Sequence, residues 1–362
     1  MNYQNWSGCT DPKFGYGSML DGLLEHKPAG VTFDERASVN VFMQTPYAIK
    51  GWWKGQHRVL FTMWETDTMP DSFKPWFNQF DQVLVPCEAN LELFSKYHPI
   101  TTCVPLGIDL AFWRSGPNPT NTTTFRFQAG GSLWHRKGLD LVVKAFNNLK
   151  LPDAELHIKA APHAFDTPTE KLGPNIYLHR SWLSVEEQRD WFNKADCFVA
   201  PARGEGFGLM PLQAIAMGIP TIVSDTTGQK QFAHLADHII PCGKSAAQTV
   251  GLWDEPKLKN LEAAMRDIYD RRPSRLRPQG MQQFSWKKAA ERLTAAIPTG
   301  TLLDDPQWEK PTASVEVHTL RPANATIGGA TYRFKAGETI SIPFGAYQVL
   351  SASGAVKIGA DL

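Results

Sequence analysis

A carboxylate surrounded by glycines is the strongest chemical signal in the sequence. Glu205 lies between Gly204 and Gly206 in the stretch RGEGFGLMPLQA (203–214), and the apolar run that follows predicts a helix. Glycines let a ligand approach the backbone closely, and a carboxylate accepts hydrogen bonds from vicinal hydroxyl groups. Gln213 follows on the helix, where its amide can donate to and accept from the hydroxyls of a ribose. The pattern indicates a sugar site, with a helix cap by Glu205 and helix-end packing by Gln213 as the structural alternatives.

Two cations stand in a second glycine-containing turn, GGSLWHRKGLDL (130–141). Arg136 and Lys137 come directly before an amphipathic pattern that predicts a helix. The start of a helix carries partial positive charge and unpaired backbone N–H groups, which favour a phosphate at that place. Guanidinium and ammonium groups there would neutralise the charge on a departing nucleotide. Solvated surface charge is the alternative for this pair.

The first third of the chain carries weaker signals of the same kind. Gly15 and Gly17, in the stretch FGYGSMLDGLLEH, are expected to let a ligand such as a phosphate approach the backbone. This turn lacks the third glycine of the GxGxxG fingerprint, so a nicotinamide dinucleotide site has weak support. Glu65 and Asp67, in the stretch WETD at the end of a predicted strand, are candidate ligand contacts, with loop capping as the alternative.

Short apolar runs alternate with helical patterns through most of the chain, which is typical of parallel sheets built from βαβ units. The pattern predicts an α/β fold with two doubly wound, Rossmann-like domains and a small C-terminal β module. The polar, proline-containing stretch 110–125 is the predicted linker. The expected domains are 1–113, 122–297 with two closing helices, and 312–362, where apolar residues alternate at period two between glycines.

Individual elements follow from the same patterns. Buried strands are predicted at 38–44, 58–64, 82–87 and 101–107, and again at 125–131, 154–160, 197–201 and 220–225. Helices are predicted at 137–149, 184–195 and 208–218. In the second of these, Ser184 as the cap is followed at the third helical position by Glu187, which is the signature of a capping box. In the C-terminal module the strands SVEVHTL, TYRFKA, TISIPF and YQVLSAS are predicted.

The composition describes a folded protein without a strong net charge. The 362 residues are 42% hydrophobic and carry a formal net charge of +1, so no global basic field favours nucleic acid or an anionic membrane. The five cysteines are scattered without a CxxC pair, which favours reduced thiols over disulfides or metal ligands. The sequence has no run of about 18 apolar residues and starts with a polar stretch unlike a signal peptide, so a cytoplasmic protein is expected.

The combined pattern resembles the family 4 glycosyltransferases, which are retaining enzymes of the GT-B fold that use nucleotide-sugar donors. The resemblance rests on FQAGGSLWHRKGLDLVVKAF followed by EGFGLMPLQAIAMGIPTIVSD. It is strong over 125–245, fair over 58–113 and absent from 312 onward. The family implies that the two domains face a cleft, that the first domain receives the acceptor, and that the second domain holds the donor. Glu65 and Asp67 are accordingly the candidate contacts to the acceptor.

The resemblance also implies roles for individual residues. Lys137 matches the family's lysine, whereas Ser132 stands at the position of its arginine, so Arg136 is inferred to supply the missing guanidinium. Glu205, Lys137 and Arg136 are the expected catalytic group, in which the cations stabilise the leaving diphosphate and Glu205 positions the sugar ring. The expected donor-binding residues are Gly15, Gly17, Gly131, Ser132, Gly206, Phe207, Gly208, Leu209 and Gln213. A nucleotide-diphosphate sugar is the implied co-substrate, with no cofactor and no metal.

Two departures from the family concern the donor. Gln213 replaces the second glutamate of the family signature, and Gln231 stands where a later glutamate is common. A hydrogen bond from Gln213 to a ribose stays possible, but the charged acceptor is lost. Both a tolerated variant and a changed donor preference are open.

Several functions remain open at this point. The leading one is transfer of a sugar to a hydroxyl acceptor, with a glycan expected. A nucleotide-sugar epimerase, glycosylation of hydroxymethylated DNA bases as in some phage enzymes, and non-enzymatic binding are the alternatives; intact Lys137 and Glu205 argue against the last. The acidic stretch 1–110 opposes DNA binding, whereas the basic stretch 271–292 predicts either a local phosphate-binding face or a solvated helix.

Overall fold

The structure is a computed structural model that describes the greater part of the chain. Residues outside the description are 12–14, 72, 115–123, 133, 163–167, 169–171, 312–313, 320–322, 328–329, 338, 344–355 and 359–362. The middle of the predicted linker and the predicted strand YQVLSAS fall on these residues.

The first domain is built on a parallel sheet. The chain forms, in order, β1 (Asn2–Gly8), α1 (Gly15–Glu25), β2 (Val31–Phe33), β3 (Val39–Met43), β4 (Trp52–Trp53), β5 (His57–Phe61), α2 (Lys74–Phe77), β6 (Gln82–Val85), α3 (Glu88–Phe94) and β7 (Thr101–Cys103). Within the described residues the sheet has six strands in the order β2-β1-β3-β5-β6-β7, and each neighbouring pair runs parallel. The strand order reverses between β1 and β3, as in flavodoxin-like doubly wound sheets.

Strand β1 lies inside this sheet although its sequence, NYQNWSG, is too polar to predict a buried strand. Several of its polar groups find partners within the domain, although Gln4 Nε2 is buried without one. The buried Gln4 accepts a hydrogen bond from Trp6 Nε1 at 2.8 Å, and Ser7 Oγ donates to Asn40 Oδ1 of β3 at 3.3 Å. Since a buried polar group is tolerated once it is hydrogen-bonded, β1 needs no apolar alternation to pair between β2 and β3.

The second domain repeats the architecture with closer agreement to the predictions. Its elements are β8 (Phe125–Gly131), α4 (Leu139–Leu149), β9 (Ala154–Ala160), β10 (Ile176–Arg180), α5 (Val185–Phe192), β11 (Cys197–Ala200), α6 (Leu209–Ala216), β12 (Thr221–Ser224), β13 (His238–Ile240), β14 (Cys242–Ala246), β15 (Leu252–Pro256) and α7 (Leu258–Arg271). In the described part of the chain, six strands form a parallel sheet in the order β10-β9-β8-β11-β12-β13. This is the Rossmann order, in which the direction reverses between β8 and β11. The strands β14 and β15 form a separate antiparallel hairpin.

The last helix corrects the predicted domain boundary. Helix α8 (Trp286–Ala296) was expected to close the second domain, within 122–297. It packs instead on the first domain, where a Cβ on Gly22 of α1 would lie 2.2 Å from the indole of Trp286. Gln82 of β6 donates to the carbonyl of Ala296 at 2.8 Å, which fixes the end of the helix. The chain therefore returns to its first domain after α7.

The following segment stays on the first domain and leads to the β module. Strand β16 (Trp308–Glu309) pairs antiparallel with β4, and Trp308 stacks edge-on against Trp53 with ring centroids 5.0 Å apart. The module contains β17 (Ser314–Thr319), β18 (Ala323–Ile327), β19 (Ala330–Phe334), β20 (Thr339–Pro343) and β21 (Val356–Ile358). Its described strand pairings are all antiparallel, as predicted: β17 pairs with β20 and β21, and β18 with β19. Among the helices described, none is long and apolar enough to cross a membrane.

Candidate active site

The candidate site lies where the strand order of the second sheet reverses. Loops that leave the carboxyl ends of β8 and β11 diverge there, and ligands of doubly wound sheets bind in the crevice between such loops. The loop after β8 carries Arg136 and Lys137, and the loop after β11 carries Glu205. The topology therefore brings together residues that are about 70 positions apart in the chain.

Two glycines shape the loop that carries the cations. The side chain of Lys137 passes directly over Gly131, where a Cβ would lie 2.4 Å from Lys137 Cγ. Gly138 adopts a left-handed conformation with φ of 67°, and a Cβ there would lie 2.0 Å from the carbonyl oxygen of Pro201. A larger residue at 131 would displace the Lys137 side chain, and one at 138 would press against the Pro201 backbone, so both glycines serve the placement of Lys137.

Glu205 forms the centre of a charged cluster. Its carboxylate accepts a hydrogen bond from Lys137 Nζ through Oε1, and Oε2 lies 3.5 Å from Arg136 Nη1. The guanidinium of Arg136 also donates to the carbonyl oxygen of Gly204 at 2.9 Å. Only 8% of the Glu205 side chain is exposed, so these contacts replace most of its hydration.

The backbone of Glu205 is fixed from the opposite side by the 3₁₀ turn Thr227–Gln231. The Thr227 hydroxyl accepts from Glu205 N at 2.8 Å and donates to the Glu205 carbonyl oxygen, also at 2.8 Å. Gly228 N donates to the same carbonyl oxygen at 2.9 Å. The carboxylate is thus held at both its backbone and its side chain.

The protonation states follow from burial and the neighbouring charges. Burial would raise the pKa of Glu205, but the charges and hydrogen bonds of Lys137 and Arg136 outweigh it, so the pKa lies below its ordinary value. Burial and the positive charge of Arg136 lower the pKa of Lys137, and the Glu205 carboxylate opposes this change. The cluster consequently favours an ionised carboxylate at neutral pH.

Arg203, which the sequence analysis did not predict as a site residue, holds together the loops that carry the cluster. Its guanidinium is 3% exposed and binds two carboxylates in fork geometry. It donates to Asp140 of α4 at 2.7 and 2.9 Å and to Glu255 of β15 at 2.6 and 2.9 Å. It also donates to the carbonyl oxygen of His135, next to Arg136. Arg203 therefore joins the loop after β8, the loop after β11 and the hairpin.

The first domain faces the cluster through the segment that follows β5. Glu65 Oε1 lies 3.4 Å from Arg136 Nη1, and the side chain of Met63 packs against Gly206, where a Cβ would lie 2.3 Å from its sulfur. Met63 N in turn donates to the hydroxyl of Tyr16 at 3.1 Å. The start of α1 is thereby tied to the segment that touches the Glu205 loop. The predicted acceptor contact Glu65 lies at the cluster itself.

Gly15 and Gly17 flank Tyr16 in the first turn of α1. Gly15 is exposed, and a Cβ there would meet open space, whereas Gly17 is buried in the helix. The structure places both on the cleft side of the first domain through the contact of Tyr16 with Met63. Their predicted contact with donor phosphates stays a prediction.

Asp67 takes part in a bridge between the domains. Its Oδ1 accepts from Leu252 N at 2.8 Å, and Asp67 N donates to the Leu252 carbonyl oxygen at 3.3 Å. Gly251 packs against the same carboxylate. The side chain that we predicted to contact the acceptor therefore already binds the tip of the β14–β15 hairpin.

The remaining predicted donor residues lie on the loops after β8 and β11, and they differ in how far they are exposed. Ser132 is exposed after β8, and Gly208, with φ of 104°, begins α6, where Leu209 is the first helical residue. Phe207 is 2% exposed and packs against Phe232 at a centroid distance of 5.6 Å. The side chain of Phe207 thus belongs to the core.

Gln213 has a partner that the sequence did not reveal. Its Oε1 accepts from Gln188 Nε2 of α5 at 2.8 Å. The amide at the position of the family's second glutamate is thereby oriented by a neighbouring helix. A signal for Gln188 was absent from the sequence because the two residues are far apart in the chain and lie on different helices.

In the basic stretch 271–292, two of the arginines are occupied by contacts inside the protein. The guanidinium of Arg275 donates to the carbonyl oxygens of Asn193 and Ala195, and that of Arg277 to those of Ala216, Leu110 and Trp113. The guanidinium of Arg272 lies over the ring of Phe125 at 5.4 Å. Arg275 and Arg277 are thus bound to backbone carbonyls inside the protein, whereas Arg272, Lys287 and Lys288 are exposed.

Two Rossmann-like domains with their sheets joined in this way are the architecture of the GT-B fold. Residues 125–248, which lie in the second domain, match the family described as "Glycosyl transferases group 1". This confirms the resemblance that the two motifs predicted. Among the described residues, no group of three or more His, Cys, Asp or Glu side chains is arranged to hold a metal ion.

Individual relatives agree with this class. A lipopolysaccharide core biosynthesis mannosyltransferase of Rhizobium meliloti is 36% identical over 104 residues, which are 26% of this chain and 30% of that protein. A GDP-mannose-dependent monoacylated alpha-(1-6)-phosphatidylinositol monomannoside mannosyltransferase of Corynebacterium glutamicum is 26% identical over 224 residues, covering 54% of this chain and 56% of its own. The chain thus spans between about a third and just over half of these curated relatives. The crystal structure of a glycosyltransferase from Rickettsia africae superposes with a TM-score of 0.55 at 10% identity, covering 82% of this chain and 95% of its own.

Proposed function

We propose that the protein transfers a sugar from a nucleotide-diphosphate sugar to a hydroxyl group of a glycan acceptor. The observation that carries the proposal is the cluster of Glu205, Lys137 and Arg136 at the switch point of the second sheet, with Glu65 opposite. Two cations beside a fixed, ionised carboxylate suit a substrate that joins a diphosphate to a polyhydroxylated ring. The group 1 domain over 125–248 supports the same chemistry.

The donor would bind with its diphosphate at Lys137 and Arg136 and its sugar hydroxyls at Glu205. The N–H groups at the start of α6, after Gly208, add partial positive charge at the same place. Gln213, oriented by Gln188, is the proposed contact to the ribose. Because its amide carries no charge, we expect this contact to contribute less to affinity than a carboxylate would.

The proposed reaction exchanges one bond at the anomeric carbon for another. The bond between this carbon and the diphosphate oxygen breaks, and a bond from the acceptor hydroxyl oxygen forms. The acceptor hydroxyl attacks from the face that the diphosphate leaves and passes its proton to the departing phosphate, so the anomeric configuration is retained without a covalent intermediate on the protein. Lys137 and Arg136 would stabilise the negative charge that develops on the diphosphate, and Glu205 would hold the ring in position.

The two cations also lead us to propose that transfer is independent of a metal ion. Without these two cations, a divalent metal ion would have to neutralise the negative charge of the diphosphate. We expect turnover to persist in excess EDTA, and loss of turnover that added Mg²⁺ or Mn²⁺ restores would contradict this part of the proposal.

The relatives suggest which donor to test first. Several of them are named as mannosyltransferases, one as GDP-mannose-dependent, so we propose a hexosyl donor and place GDP-mannose at the head of the panel. UDP-glucose, UDP-galactose, UDP-N-acetylglucosamine and a pentosyl donor complete it. Slow release of the nucleoside diphosphate without acceptor identifies the donor.

The decisive variant is Glu205→Gln, which keeps the size of the side chain and removes its charge. We expect turnover of the identified donor to fall by about 100-fold or more, because a fixed charge at the reacting ring is lost. Glu186→Gln is the matched control, since Glu186 is exposed in the first turn of α5 and outside the cluster. Binding of no donor in the panel, or full activity of the Glu205 variant, would refute the proposal.

A further inference from the structure

The charged cluster contains a second carboxylate, and it comes from the other domain. Glu65 lies in the segment after β5, whose backbone is fixed because Trp64 N donates to Asn90 Oδ1 at 2.7 Å and Asn90 Nδ2 donates to the Trp64 carbonyl oxygen at 2.9 Å. The Glu65 carbonyl oxygen lies against Gly204, where a Cβ would approach it to 2.1 Å. The placement of Glu65 beside Arg136 is thus set by the backbone on both sides of the cleft.

The two carboxylates are held very differently. Glu205 contacts Lys137 and Arg136, its backbone is fixed by Thr227, and 8% of its side chain is exposed. Among the described residues, Glu65 makes one ion pair, in which its Oε1 lies 3.4 Å from Arg136 Nη1. The Glu65 side chain is 29% exposed. Glu65 is therefore the carboxylate that can leave the cluster at the smaller cost, since water can hydrate it again.

The charges of the cluster balance before any donor binds. Arg136 and Lys137 bring two positive charges, and Glu65 and Glu205 bring two negative ones. A diphosphate that binds the same cations adds at least two further negative charges. At such separations, like charges in a partly buried site repel strongly. One of the two carboxylates therefore has to move away from the cations.

We propose that Glu65 is an internal competitor of the donor's diphosphate: it occupies Arg136 while the site is empty and is displaced when the diphosphate binds. This inference rests on the proposed function. Displacement breaks an ion pair between the two domains and at the same time releases a carboxylate on the acceptor side of the cleft. Glu65 thereby lowers the affinity for the donor below what the two cations alone would give.

Binding of phosphate-containing probes to Glu65→Gln tests the inference. Glutamine has the shape of glutamate but leaves Arg136 without an anionic partner from the first domain. Isothermal titration of the full chain with GDP, UDP and inorganic pyrophosphate would measure Kd at fixed ionic strength. We expect the variant to bind the probes about five- to tenfold more tightly than the wild type, with the difference shrinking as salt rises.

A matched control separates this contact from a change of net charge. Asp71→Asn removes one negative charge from the first domain at an exposed position, where Asp71 pairs with Lys74. We expect its Kd values to stay within about twofold of the wild type, because exposed and distant charges are screened. Thermal unfolding of each variant confirms that it is folded.

The outcomes separate the inference from the proposed function. Tighter binding by Glu65→Gln, without a similar gain for Asp71→Asn, supports the inference. If the wild type binds a probe and the Glu65 variant binds it equally or more weakly, the inference fails and the proposed function stands. An equal gain for Asp71→Asn also overturns the inference, because the effect is then one of net charge. If neither the wild type nor the Glu65 variant binds any probe, the inference and the proposed function fall together.

Discussion

Replacing Arg203 by methionine should destabilise the second domain while leaving every charge of the Glu205 cluster in place. The guanidinium is 3% exposed and makes four hydrogen bonds to the carboxylates of Asp140 and Glu255, besides one to the His135 carbonyl. Methionine fills a similar volume without a donor. The two carboxylates would then face each other across an apolar side chain.

The size of the effect follows from how far the partners can be hydrated again. Removing one partner of a buried ion pair costs about 3–5 kcal/mol. The side chains of Asp140 and Glu255 are 34% and 33% exposed, so water recovers part of this loss. We expect the free energy of unfolding to fall by about 2–4 kcal/mol. Arg203→Lys should lose less, about 1–2 kcal/mol, because the charge remains and only the fork geometry is lost.

Urea unfolding, followed by tryptophan fluorescence and circular dichroism, measures these differences. Arg271→Met is the control, because Arg271 pairs with Asp267 on the exposed face of α7 and its loss should cost about 0.5 kcal/mol or less. The reasoning would be refuted if Arg203→Met lost under about 1 kcal/mol, or no more than the control. The kcat of the folded Arg203→Lys variant should also fall, since Arg203 holds the loop that carries Lys137.

Three further outcomes are expected. Gly131→Ala places a Cβ 2.4 Å from Lys137 Cγ, so the lysine must move and kcat should fall about tenfold or more; an unchanged kcat in steady-state assays would contradict the placement. Arg277→Met removes the donor that joins the carbonyls of α6 and the linker, so calorimetry should show a Tm lower by several degrees, against no change if the contact is unimportant. The pKa of Glu205 lies below its ordinary value of 4.5, so its pairing stabilises the protein above that pH and this contribution is lost as the pH falls through the lowered pKa. Denaturation of Glu205→Gln should accordingly depend less on pH below about 4.5 than that of the wild type.

The elements of the second domain were predictable because their local patterns agree with their environment. The strands at 125–131 and 154–160 have the predicted bounds, and the capping box of Ser184 with Glu187 is confirmed in both of its hydrogen bonds. In β9, buried and half-exposed residues alternate, which is the pattern that period-two analysis detects. Strand β10 was missed because its residues are mostly exposed at the sheet edge.

The charged residues at the centre of the candidate site were predictable from the sequence, whereas the residues that orient them were not. Glu205, Lys137 and Arg136 carry their signal in local motifs, and the structure brings them together. Arg203 and Gln188 act through partners far away in the sequence, so no local spacing reveals them. The contacts of Arg275 and Arg277 were not predictable either, because a basic stretch has the same sequence pattern whether its side chains meet water or backbone carbonyls.

The return of α8 to the first domain has a consequence for how the chain folds during synthesis. The first domain consists of two stretches separated by the whole second domain, and Trp286 fills the groove beside Gly22. During synthesis, α1 cannot pack against α8 until residue 296 has left the ribosome. All strands of the second sheet have been released by then. A fragment that ends at 113 should therefore aggregate, and an exchange of domains between related chains should carry 281–297 along with the first domain.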